Sequence, residues 1–215
     1  MVAQMIAAVK REKLIAIVRG VKEQHCADVA QALYDGGIRF MEITYDQTAP
    51  DTWVRTADTV GSLAKAFAGK MYIGAGTVTT AKQVELTHRY GGQFIVSPDV
   101  NGEVIRRTCQ LGMMSVPGAL TPTEILEAHR FGAHLVKVFP AGSMGVGYLQ
   151  AVKAPASHVE LLAFGGIDER NIAQYLAAGA AGAGVGRSLV NPAWVEAGEF
   201  EKITQAAKKL VALIK

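Results

Sequence analysis

Lys137 stands inside Leu135-Val136-Lys137-Val138-Phe139-Pro140, a short apolar run that otherwise reads as a buried β-strand. An ammonium in low dielectric is disfavoured, so a lysine held there tends to lose its proton and become a nucleophile. Its natural chemistry is condensation with a ketone to an imine, which serves as an electron sink for breaking the adjacent carbon-carbon bond. A lysine in a strand can also carry its head to water from the strand end, and the run alone leaves both roles open.

Glu42 supplies the second reactive type. It lies in Phe40-Met41-Glu42-Ile43-Thr44, where a side-chain period of two puts Phe40, Glu42 and Thr44 on one face and Met41 and Ile43 on the other. By the same count Leu135, Lys137 and Phe139 share a face, opposite Val136 and Val138. If the wholly apolar faces meet helices, the carboxyl and the amine look into one interior. There Glu42 can take a proton from the hydroxyl whose bond cleaves and return one to the enamine carbon, directly or through a water. Its alternative is a structural ion pair with Lys137 or Arg19.

The elements that must position these groups follow from hydrophobic periodicity. Eight apolar runs closed by Gly, Pro or a polar residue predict strands at Leu14 to Arg19, Phe40 to Thr44, Tyr72 to Thr77, Phe94 to Pro98, Met114 to Pro117, Leu135 to Phe139, Leu161 to Gly165 and Gly182 to Gly186. Helical stretches fall between them, among them His25 to Tyr34, Thr52 to Phe67, Ala81 to Tyr90, Glu103 to Leu111 and Asn171 to Ala178. Thr121-Pro122-Thr123-Glu124 is a capping box that predicts a helix running to Phe131. Strict βα alternation through eight units predicts a closed (β/α)₈ TIM barrel, with the doubly wound open sheet as the other arrangement.

A barrel demands polar residues at the C-terminal ends of its strands. The chain supplies Arg19, Glu42 with Thr44, Thr77, Ser97 with Pro98, and Lys137. Phe164-Gly165-Gly166-Ile167 and Gly182-Ala183-Gly184-Val185-Gly186-Arg187-Ser188 close the last two units. Glycines there let backbone amides approach an anion, a helix start after the eighth strand adds donors, and Ser188 adds a hydroxyl. Tight turns alone also account for such glycines. A dinucleotide site is excluded by space: past Gly186 only Asn191-Pro192 and one amphipathic helix remain, with Phe200, Ile203, Leu210, Val211 and Ile214 at packing intervals.

Composition narrows the classes. With 215 residues, half of them hydrophobic, and 23 glycines, residues 1–215 are expected to form one α/β domain. The net charge is +3, but Lys and Arg are scattered rather than blocked, so neither nucleic acid nor a membrane surface is an expected partner. No apolar stretch is long enough to span a bilayer. Cys26 and Cys109 lie far apart, which suits a reducing cytoplasm and gives no thiolate metal site. The five histidines lack metal-ligand spacing, so no metal and no cofactor is expected.

Several ordered motifs, read together, resemble one family. They are Ile17-Val18-Arg19-Gly20, Gly36-Gly37-Ile38 leading into Met41-Glu42-Ile43-Thr44, Ile73 to Val78, Val96-Ser97-Pro98, Pro117 to Pro122, Val136 to Ala141, and Gly165-Gly166-Ile167. The chain resembles, over nearly its whole length, the 2-keto-3-deoxy-6-phosphogluconate (KDPG) and 4-hydroxy-2-oxoglutarate (KHG) aldolases, class I lyases that act through pyruvate. The resemblance implies that Lys137 forms the Schiff base, Glu42 transfers protons and Thr77 contacts the pyruvyl end. It also implies that Pro98 and Phe139 shape the pocket and that Gly165, Gly166, Gly186 and Ser188 cradle phosphate. A phosphorylated keto acid and pyruvate would be the ligands and a homotrimer the assembly.

Two positions depart from the family pattern. Many members carry an arginine two residues past the Thr of the Glu-x-Thr element to hold the substrate carboxylate; here Asp46 stands there, and Arg19 is the expected replacement cation. Before the paired glycines the phosphogluconate branch carries Thr, whereas this chain has Ala163-Phe164, a ring without a hydroxyl. Phosphogalactonate-type members also lack that Thr, which keeps their substrate in contention. Beyond the lyase, a phosphate-binding barrel isomerase or synthase would keep the glycine turns without needing an imine-forming lysine, and a non-catalytic binding barrel would need no polar strand ends.

Overall fold

Parallel strands and helices alternate along the computed structural model, which describes residues 1–214; Lys215, the last residue of the expected domain, lies outside the described residues. A leading helix α1 (Val2–Glu12) precedes β1 (Leu14–Val18), α2 (Glu23–Asp35), β2 (Phe40–Thr44), α3 (Trp53–Ala66), β3 (Tyr72–Gly76), α4 (Ala81–Tyr90) and β4 (Phe94–Val96). Then come α5 (Gly102–Gln110), β5 (Met114–Val116), β6 (Gly118–Ala119), α6 (Pro122–Arg130), β7 (Val136–Val138), α7 (Ala141–Met144) and α8 (Val146–Lys153). The chain ends with β8 (Leu161–Phe164), α9 (Ile172–Ala177), β9 (Gly182–Val185), α10 (Pro192–Glu196) and α11 (Phe200–Ile214).

Eight runs predict eight strands; nine form among the described residues, because Pro117 has no N–H to give a ladder and ends β5 at Val116, while the short β6 follows just past the predicted run. The halves β5 and β6 still act as one stave. β5 pairs with β4, β6 pairs with β7, and the sheet order β5-β4-β3-β2-β1-β9-β8-β7-β6 therefore returns to its start. The Leu135, Lys137 and Phe139 amides donate to the carbonyls of Ser115, Pro117 and Ala119, stitching the ring shut. The result is a (β/α)₈ TIM barrel rather than a doubly wound open sheet.

Period-two alternation sorts the core into two layers. Leu14, Ala16, Val18, Met41, Ile43, Ile73, Ile95, Val136, Val138 and Ala163 face outward and pack against the helices. Ile15, Phe40, Phe94, Val96, Met114, Val116, Leu135, Leu162 and Phe164 face inward. Gly74 and Gly184 take inward positions where a Cβ would strike the rings of Phe94 and Phe164 at 2.6 and 2.2 Å, so these glycines make room for neighbouring rings. Met5, Ala8 and Val9 of α1 join the inner layer and close the N-terminal end. The capping box at Thr121 and Glu124 forms as read, and Thr80 with Gln83 builds a second one at α4.

Candidate active site

Glu42 and Lys137 both fall on the inner face, as the alternation predicts, above Phe40 and Leu135. Four steps separate β2 from β7 through β1, β9 and β8, half the circuit of an eight-stave barrel, so the two groups oppose each other across the interior. They are 1% and 7% exposed. The gap that a carboxyl needs is provided by Gly76, whose Cβ would lie 2.5 Å from Glu42 Oε1. Glu42 Oε2 is buried with no hydrogen-bond partner among the described residues. A buried, unsatisfied acceptor is costly unless protonated or met by a ligand.

Burial, only partly offset by the positive charges of Lys137 and Arg19, pushes the Glu42 carboxyl up to about 7. Burial likewise pushes the Lys137 ammonium down, opposed by Glu42, assisted by Arg19 and opposed again by Asp99. Its Nζ lies 4.8 Å from the Phe139 ring centre and 5.1 Å from that of Phe164. The amine is thus held between aromatic walls, and burial together with the Arg19 cation disfavours its protonated form more than the opposing carboxyl favours it.

Arg19 continues the inner face of β1 beyond Ile15 and Ile17 and reaches the mouth exposed, where it donates from Nη2 to Thr77 Oγ1 at 2.9 Å. Thr44 ends β2 between them. Arg19, Thr44 and Thr77 also line a cavity of about 1000 Å³ that extends to Lys22, Arg55 and Thr56; neither Glu42 nor Lys137 lines it. Pro98 follows β4 at the rim, and Gly118 lets it approach β6: a Cβ there would meet the Pro98 carbonyl at 2.4 Å.

The glycine turns divide into different uses. Gly165 and Gly166 adopt successive left-handed conformations (φ 82° and 75°) that only glycine takes freely, and a Cβ on Gly165 would meet the Phe139 ring at 2.9 Å. The pair therefore seats Phe139 and exposes a turn beside it. Gly184 serves Phe164 packing within β9. Phe164 itself is 1% exposed and points inward beneath the lysine rather than rimming the pocket. The helix expected straight after the last strand is a single turn in which Leu189 and Val190 amides donate to the Gly186 carbonyl; α10 begins only at Pro192. Ser188 sits in that turn, its hydroxyl 3.5 Å from the Ile167 carbonyl, and lines a second cavity of about 580 Å³ with Asp168, Arg170 and Trp194.

Two residues near the site escape sequence reasoning. Asp99, directly after Pro98, feels the Lys137 charge, and burial raises its carboxyl above the ordinary range. Its signal was only its place just past a strand end. Gln47 donates to the Thr77 carbonyl at 2.6 Å, and nothing in its local sequence marks it. Asp46 turns inward on its own loop, accepting from the Thr48 amide and hydroxyl at 2.8 and 2.7 Å. His134 is structural: its Nδ1 accepts from the Ser115 amide at 3.1 Å. No cluster of three or more His, Cys, Asp or Glu able to hold a metal ion occurs among the described residues, and no helix among them is long and apolar enough to cross a membrane.

Fold and site define a closed (β/α)₈ barrel with a buried amine and a buried carboxyl opposed at its C-terminal end. A family model described as KDPG and KHG aldolase matches residues 5–206, and the chain belongs to that family. It is 37% identical over 177 residues to the 2-dehydro-3-deoxy-6-phosphogalactonate aldolase of Escherichia coli strain K12, covering 82% of this chain and 83% of that one. It is 30% identical over 208 residues to the 2-dehydro-3-deoxy-phosphogluconate aldolase of Treponema pallidum, covering 96% of each. A solved structure described as native KDPGal shares 34% identity over 93% of both chains, with a TM-score of 0.84.

Proposed function

We propose that this enzyme is a class I lyase that reversibly cleaves a 2-keto-3-deoxy-6-phospho sugar acid of the phosphogluconate type to pyruvate and glyceraldehyde 3-phosphate, and that it also accepts 4-hydroxy-2-oxoglutarate, giving pyruvate and glyoxylate. The observation that carries this reading is the opposition of buried Lys137 and buried Glu42 inside the ring. The neutral Lys137 amine adds to the C2 carbonyl, and the carbinolamine takes up one solvent proton as its hydroxyl leaves as water, giving a protonated imine. Glu42 removes the C4 hydroxyl proton; the C3–C4 electron pair moves into the imine, the aldehyde departs, and an enamine remains. Glu42 returns its proton to C3, and water hydrolyses the imine to free pyruvate and the amine. A carboxyl titrating at about 7 can serve as base and then acid near neutral pH.

Arg19 and Thr77 take the carboxylate end in this reading, with Thr44 beside them, while Pro98 and Phe139 wall the pyruvyl carbon. Gly165, Gly166, Gly186 and Ser188 hold the phosphate through turn amides and a hydroxyl. Support comes from the left-handed glycine pair beside Phe139 and from the guanidinium at the mouth. One domain spanning residues 1–215, a cytoplasmic location and a homotrimer complete the reading; size-exclusion chromatography with light scattering tests the last. The phosphogalactonate epimer is a second reading, favoured by the 37% identity to an enzyme of that name and by Phe164 standing where a Thr hydroxyl is absent. Steady-state assays with both epimeric phosphorylated acids decide between them, and turnover of neither overturns both.

A further inference from the structure

Thr77 has a β-branched side chain in left-handed backbone, with φ at 55°; among the described non-glycine residues only Lys13, at a helix C-cap, shares that region. Such a conformation persists only where the surroundings over-determine it. Alternation along β3 would send Thr77 outward with Ile73 and Ala75, away from the interior. The left-handed turn brings its hydroxyl to Arg19 instead, across the end of β2.

A chain of hydrogen bonds holds the turn. Gln47 Nε2 donates to the Thr77 carbonyl at 2.6 Å, while Gln47 Oε1 accepts from Thr79 Oγ1 at 3.0 Å and from Gln83 Nε2 at 3.2 Å. Gln83 is wholly buried, and its Oε1 accepts from the Thr79 and Thr80 amides at 2.9 and 3.2 Å in the capping box of α4. The chain therefore ends in a fixed helix start. The carboxylate next to Gln47, that of Asp46, spends its Oδ1 on Thr48 and forms no ion pair with Arg19 among the described residues. Arg19 is left aimed yet uncommitted to a carboxylate.

We propose that Gln47 is a positioning residue for the carboxylate end of the substrate: it pins Thr77 in its left-handed turn, so that the Thr77 hydroxyl fixes the Arg19 guanidinium over the mouth. The proposal rests on Arg19 being the carboxylate's partner, as set out above. A long exposed side chain loses rotamer freedom when it grips an anion, and holding it beforehand lowers that cost.

The test measures borohydride-trapped pyruvate adduct against pyruvate concentration for the full chain and for Arg19→Ala, Gln47→Met, Gln47→Leu and the double variant Arg19→Ala/Gln47→Met. Gln47→Met keeps the side chain's length and removes only its polar groups; Gln47→Leu serves if the first variant folds poorly. The expected result is a half-saturating pyruvate concentration raised about tenfold by either Gln47 change, with the saturating adduct yield kept. The double variant should be no weaker than Arg19→Ala alone, since a merely structural loss would add. Wild-type half-saturation in both Gln47 variants beside a weakened Arg19→Ala overturns the proposal and leaves the role of Arg19 standing. Additive losses in the double variant also overturn it. Unchanged binding in Arg19→Ala removes the underlying carboxylate role, and the proposal falls with it.

Discussion

The two ends of the barrel are built from the same inward-facing positions and filled with opposite chemistry. At the N-terminal end Met5, Ala8 and Val9 of α1 lie 1–2% exposed over Ile15, Phe40 and Leu135 and form an apolar plug. Two or four residues further along the same strands, that layer gives way to Glu42, Lys137, Thr44 and Arg19. The plug end can contribute to stability at about 1.5–3 kcal/mol per large apolar side chain. The other end carries a buried amine, a buried carboxyl with an unsatisfied oxygen and a left-handed threonine, each of them costly. Stability and chemistry are thus separated along the strand axis by only one or two pleats.

Breaking the chemical end should leave the plug end intact. Lys137→Ala is expected to lower turnover of the phosphorylated keto acid by more than about a thousandfold, with an unchanged circular dichroism spectrum. Glu42→Gln comes next, at about 10²–10⁴-fold in kcat. The wild-type kcat/KM should rise with pH through about 7 as Glu42 ionises, and the Gln variant should lose that limb.

The same residue sharpens the contrast in stability. The folded-state Glu42 value, about 7, lies above the ordinary 4.5, so the folded state favours the neutral acid. Its contribution is fully present below about 4.5 and lost as pH rises through 7. Glu42→Gln should therefore raise stability by about 1–3 kcal/mol at pH 8 and by much less at pH 5, measured by urea unfolding at both values. Met5→Ala should do the reverse, costing about 2–5 kcal/mol while leaving half-saturation by pyruvate in place. The smallest effect is expected for Thr77→Gly: its unfolding midpoint should shift by only a few degrees, because relief of the left-handed strain offsets the lost contacts, whereas pyruvate binding weakens.

How much of this was legible in the sequence depends on whether a local rule reaches the feature. Alternation placed Glu42 and Lys137 on the inner face because their strands are regular, and the Thr121 box set the start of α6 because capping is a short-range exchange of hydrogen bonds. Pro117 was visible, but its effect, a stave divided between two neighbours, is a property of closure and not of the run itself. Thr77 defeats alternation through one backbone angle, and that angle is held by Gln47 and Gln83 from other segments. The glycines of the last two units read alike, yet Gly184 makes room for a ring inside the barrel while Gly165 and Gly166 form an exposed turn; only the packed neighbours tell them apart. Asp99 needed the distance to Lys137, which no linear spacing supplies.

The central claim is that the nitrogen inside the ring is the one that bonds to substrate carbon. Incubation with pyruvate, reduction with borohydride and peptide mass mapping test it in one step. A single adduct on Lys137, absent from Lys137→Ala, is the result expected; an unmodified Lys137 peptide under saturating pyruvate, or an adduct on an exposed lysine such as Lys22 in its place, would contradict it.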